Sequence, residues 1–101
     1  MNTDDLITNI TQWANDKNIL YLDNAPKQSM KVMEELGETM GAILKNKNIN
    51  DIADGIGDIL VTVIILSKQL GLEPNACLEA AWNEIKDRKG QTVNGTFIKN
   101  E

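Results

Sequence analysis

Histidine is absent from this chain and cysteine occurs once. Those gaps exclude an internal disulfide, an imidazole general base, and the nitrogen and sulfur ligand sets of zinc and copper sites. The single thiol, Cys77, stands among Ala76, Leu78, Ala80 and Ala81 and reads as a small core residue, with no histidine to activate it. No long apolar run is present. The longest, Ile59 to Leu66, is interrupted by Thr62 and is far too short to span a bilayer. The acidic start Met1-Asn2-Thr3-Asp4-Asp5 lacks the basic, then apolar, pattern of a signal peptide. A cytoplasmic protein without a membrane partner is expected. Basic residues are also in deficit, ten against fifteen acidic ones, for a net charge of -5. That balance disfavours the phosphate backbone of nucleic acid, because such binding depends on neutralised phosphates. A small phosphate compound remains compatible where metal ions bridge the two sets of negative charge.

What is present fits an ordinary globular domain over residues 1–101, with 42% hydrophobic and 25% charged residues. A chain of this length builds a modest core, and self-association is an expected aid. The apolar periodicity predicts four helices and an all-α bundle. The first starts with Thr3 as cap and ends near Asn18, with Leu6, Ile10, Trp13 and Ala14 at helical spacing. Ile19, Leu20 and Leu22 then fold back on the core. The second runs from about Pro26 to Lys45, and Met30, Met33, Leu36, Met40 and Leu44 make its apolar stripe. The third spans about Asp51 to Leu70 and stops at Gly71. The fourth begins at Pro74, buries Ala76, Cys77, Ala80, Ala81 and Ile85, and stops by Gly90. Between Val93 and Ile98 an Asn94-Gly95 pair predicts a small hairpin or a partner-binding arm.

The chemistry lies between Met30 and Ile65. Glu34, Glu35 and Glu38 lie opposite the methionine stripe of the second helix, one turn apart. Asp54 and Asp58 repeat the arrangement on the third helix, on a side that continues with Val61 and Ile65 and is therefore not fully bathed in solvent. An ionised aspartate drawn into such a place needs a positive partner, and that helix has no basic residue before Lys68. An oxygen-only donor set selects Mg²⁺ or Mn²⁺, and Mg²⁺ is the natural companion of phosphates. Gly37, Gly41, Gly55 and Gly57 interrupt the two helices, either for close helix crossing or to leave room beside the acids.

Glu34-Glu35-Leu36-Gly37-Glu38, followed by Asp58 in an apolar helix, resembles the MazG-like all-α nucleoside triphosphate pyrophosphohydrolases, whose signature is EExxE and then ExxD. The likeness covers roughly residues 26 to 90, and Ala81 to Gly90 resembles the end of short phage-type members. It implies Mg²⁺-dependent hydrolysis of a nucleoside triphosphate, NTP or dNTP, to the monophosphate and pyrophosphate, in a homodimer or homotetramer. By that resemblance Glu35, Glu38 and Asp58 are metal ligands, and Glu34, Glu35 and Glu38 form the catalytic acid cluster. The chain departs from the signature at Gly55, three residues before Asp58, where the family has Glu; Asp54 is the substitute ligand. Gln12, Trp13, Tyr21 and Trp82 are the candidates for holding the base, and Asn83, Lys86 and Arg88, with Lys27 a weaker choice, for the phosphates or sugar. The alternative is a non-catalytic helical oligomer that binds nucleotide or a protein partner.

Overall fold

The computed structural model describes residues 1–101 as four α-helices and a terminal hairpin: α1 Thr3–Asp16, α2 Ala25–Leu44, α3 Ile49–Gln69, α4 Pro74–Ile85, then β1 Gly90–Val93 and β2 Thr96–Lys99. A 3₁₀ turn, Leu22–Asn24, leads into α2. The helical elements follow the apolar periodicity, and the hairpin adds a two-stranded sheet to them. No helix is long and apolar enough to cross a membrane.

Helix ends are set by short polar side chains. Asn2, not Thr3, caps α1, its side chain accepting from Asp5 N–H at 2.9 Å. Asn48 does the same for α3 by accepting from Asn50 N–H at 2.7 Å. At the other ends, Asn18 (φ 60°), Asn46 (φ 54°) and Gly71 (φ 74°) adopt the left-handed conformation that stops a helix. Each is followed by an N–H that reaches back five residues: Ile19 to Ala14, Lys47 to Ala42 and Leu72 to Ser67. The two asparagines do without glycine because their short polar side chains tolerate that region. The hairpin turns at Asn94 and Gly95, both at positive φ, which suits a two-residue connection between twisted strands. α4 ends at Ile85, short of Gly90, because the chain leaves the helix to enter β1.

α2 and α3 form the central pair. Thr39 lies against Gly55, and Gln28 Nε2 donates to the Thr62 carbonyl at 3.1 Å, so the two helices run antiparallel. Their buried residues are mostly small or polar: Ala25, Gln28, Thr39, Thr62 and Gln69, with Ile65. α1 packs across α3 through Ile7 and Ala14.

The methionine stripe takes the opposite direction from a core. Met30 and Met33 are each 72% exposed and Leu44 is 83% exposed. The apolar side of α4 is likewise open, including Leu78, Trp82 and Ile85, and Cys77 is exposed and not the core residue its neighbours suggested. Leu22 is exposed as well, whereas Ile19 and Leu20 are partly covered. Only 8 of 101 residues are buried, and no large side chain is fully enclosed. The accessible surface, 7795 Å², exceeds the roughly 5,700 Å² typical of a compact chain of this mass. The radius of gyration, 16.1 Å, likewise exceeds the about 13 Å of a compact 100-residue domain. One chain therefore leaves apolar area uncovered.

Candidate functional site

The antiparallel crossing of α2 and α3 puts acids of both helices on a single cavity of about 190 Å³. Glu35 and Glu38 come from α2; Asp51, Asp54 and Asp58 come from α3; Thr39, Ala42 and Gly55 complete the wall. The spacing explains the gathering. Residues 35 and 38 are one turn apart, and 51, 54 and 58 follow at three and four, so each set occupies one face of its helix. Asp51, at the start of α3, belongs to the set as well; its three-residue spacing from Asp54 is the signal that could have found it.

Thr39 and Gly55 explain why the helices approach so closely. Thr39 is 3% exposed and its hydroxyl donates to the Glu35 carbonyl at 2.8 Å, which turns the side chain along its own helix. A Cβ at position 55 would lie 3.1 Å from Thr39 Cβ and Cγ2, and closer still to Oγ1. A larger side chain at position 55 would have to displace Thr39 or separate the helices. Gly37, Gly41 and Gly57 meet nothing within 4 Å and have no such role within the chain.

Cations are few. Lys31 Nζ lies 3.4 Å from Glu34 Oε1 and 3.4 Å from Glu35 Oε1. The pairing, first with Glu34 and then with Glu35, holds the Lys31 ammonium above its ordinary range. Glu38, Asp51, Asp54 and Asp58 have no basic side chain within 4.0 Å. Glu34 points away from the cavity, and its carboxylate partner is Lys31.

A second cavity of about 300 Å³ shares Glu35 and Asp58 with the acidic one. Trp13 and Ile19 reach it from the α1 side, Gln28 and Lys31 from α2, and Val61, Thr62 and Ile65 from α3. Gln28 is 9% exposed; with Nε2 held by Thr62, its Oε1 accepts no hydrogen bond. Of the residues proposed for substrate, Trp13 is thus brought to the acids. Gln12 is not: its amide donates to Asp16 Oδ1 at 2.8 Å, and it lines a separate cavity with Lys68. Asn83, Lys86 and Arg88 line neither cavity, and Arg88 pairs with Glu84 at 3.5 Å. Tyr21, Lys27 and Trp82 are exposed and line neither cavity.

The donor set is oxygen only, as Mg²⁺ or Mn²⁺ requires, but no three of these carboxylates stand close enough together to close on one ion. Mg²⁺ commonly takes one or two carboxylates and completes its shell with water and phosphate oxygens, so the set suits it after side-chain rotation. The chain matches no protein-family model and no solved structure. It is similar to the "Uncharacterized 18.2 kDa protein in rep-hol intergenic region" of Haemophilus phage HP1, being 47% identical over 64 residues. The matched stretch covers 63% of this chain and 39% of that protein, so this chain spans only about two fifths of that relative's length.

Proposed function

We propose that this chain is a MazG-like, Mg²⁺-dependent pyrophosphohydrolase that converts a nucleoside triphosphate to its monophosphate and pyrophosphate. The observation that carries the proposal is the single cavity lined by five carboxylates from two helices, with one lysine at its margin. Such a concentration of negative charge, beside a half-apolar cavity with a tryptophan, suits a phosphate compound bridged to the protein by divalent cations.

Glu35, Glu38, Asp54 and Asp58 are the ligands in this reading, with Asp51 as a fifth carboxylate in reach of the same cavity. Bound Mg²⁺ supplies the positive charge that offsets the triphosphate and the acidification of an attacking water. A carboxylate not engaged as a ligand accepts that water's proton. The water oxygen bonds to the α-phosphorus, the bond to the bridging oxygen breaks, and pyrophosphate leaves with the electron pair. Trp13 offers its indole to the base, and Glu34 acts only through Lys31.

Self-association belongs to the same proposal. The surface in excess of a compact chain exceeds the about 800 Å² per partner of a standard interface. The methionine stripe of α2 and the open side of α4 are the faces a second copy would cover, and only a second copy could bring Asn83, Lys86 or Arg88 to the acids.

Incubation of the purified protein with a panel of NTPs and dNTPs and Mg²⁺, with phosphorus NMR of the products, tests the activity. Monophosphate plus pyrophosphate is expected from at least one nucleotide, and Glu38→Gln abolishes turnover with helical content unchanged. Orthophosphate as the sole product, or no turnover of any nucleotide, contradicts the proposal and leaves the non-catalytic oligomer as the better reading.

A further inference from the structure

Lys31 is the one cation that touches the acidic cavity, and it touches it through Glu35. Glu35 is the α2 carboxylate that stands on the wall between the acidic cavity and the Trp13 cavity, and its side chain is only 15% exposed. Lys31, 49% exposed, lines the Trp13 cavity alongside it. The ammonium also has a second anchor on the outer side, Glu34, at the same 3.4 Å. Glu35 is thus engaged with Lys31 in a protein where no three acids stand close enough to close on an ion. An ammonium is a compact charge on a flexible stem, so it changes partner without moving the backbone.

We propose that Lys31 is a charge-exchange residue: its ammonium holds Glu35 in the free protein and passes to a phosphate oxygen of the nucleotide when Glu35 turns to the metal. This rests on the pyrophosphohydrolase reading for its ligands but not on turnover for its test. The exchange places the released ammonium in the cavity next to the metal, where the charge of the triphosphate arrives. Lys31 thus opposes the metal in the absence of nucleotide and favours the nucleotide in its presence. It is a positioning residue in the first state and a substrate ligand in the second.

The test is calorimetric titration of Mn²⁺ into the nucleotide-free wild type, Lys31→Met and Lys31→Arg, followed by KM and kcat for the best nucleotide. Removing the competitor in Lys31→Met is expected to tighten Mn²⁺ binding by about two- to fivefold, the range for loss of an exposed ion pair. The same variant is expected to raise KM about tenfold through the lost charged hydrogen bond, with a smaller change in kcat. Lys31→Arg keeps the charge and stays within about twofold of wild type in Mn²⁺ affinity. Mn²⁺ affinity unchanged or weakened in Lys31→Met, or a KM equal to wild type, overturns the exchange while the pyrophosphohydrolase stands. A wild type that binds no Mn²⁺ and hydrolyses no nucleotide overturns the site itself, and the exchange with it.

Discussion

The α2–α3 pair and the α4–hairpin arm are built from similar helical material and end in opposite states. α2 and α3 close on each other through threonine, glutamine and glycine and keep their acids on a shared cavity. α4 leans on α3 near Pro74, with Asn75 bonded to Asp4 of α1, and leaves Leu78, Trp82, Phe97 and Ile98 open. α2 carries the same contrast on its two faces, since the side with Gln28, Glu35 and Thr39 is covered at least in part and its methionine stripe is outside. Where a polar face packs and an apolar one does not, hydrophobicity does not dictate which side is interior to the single chain. The close approach allowed by Gly55 decides the pairing, and the apolar faces await a second copy in the oligomer proposed above.

The largest effect that would sharpen this contrast is on assembly. Lysine at both Met33 and Met40 is expected to weaken self-association by more than about a hundredfold, because an unpaired charge in an interface costs several kcal/mol. Sedimentation at several concentrations reads it, and equal masses for variant and wild type would break the contrast. Ile65→Ala, at a side chain 4% exposed, should destabilise by about 2–5 kcal/mol in urea. Leu78→Ala, 69% exposed, should cost less than about 0.5 kcal/mol at concentrations low enough to keep the chain single. Gly55→Ala forces a methyl into Thr39 and should cost about 1–3 kcal/mol. Thr39→Ala in that background should recover part of the loss, a coupling that a double-mutant cycle measures. Gly37→Ala meets nothing within the chain and should stabilise α2 by up to about 1 kcal/mol; a loss instead would place Gly37 in an interface.

Much of the fold was legible because it depends on local patterns. Helical periodicity, Pro26 and Pro74 in first turns, Gly71 as a stop and Asn94-Gly95 as a hairpin turn each act over a few residues. The ends near Asn18 and Lys45 were legible as well, but not the left-handed conformation of Asn18 and Asn46, which asparagine marks far less consistently than glycine does. The side on which α2 packs is not legible in its stripe alone. A hydrophobic face shows that something will cover it, not whether the cover is the same chain. In the site, Glu35, Glu38, Asp54 and Asp58 were legible from spacing, whereas Asp51 was obscured by its position at a helix start, where acids are common for electrostatic reasons. Asn83, Lys86 and Arg88 were selected by side-chain chemistry and resemblance, and nothing in their spacing could show that they line neither cavity within one chain.

Convergence of α2 and α3 acids on shared cations is tested most directly by thermal melting with and without Mg²⁺ for the wild type, Glu38→Gln, Asp54→Asn and the double variant. Mg²⁺ should raise the wild-type midpoint, each single substitution should remove most of that rise, and the double variant should lose little more, since both act on one site. Without Mg²⁺ each substitution should leave the midpoint equal or slightly higher, because it relieves repulsion among five carboxylates. A wild-type midpoint indifferent to Mg²⁺, or losses that add independently across the two helices, would contradict a common site.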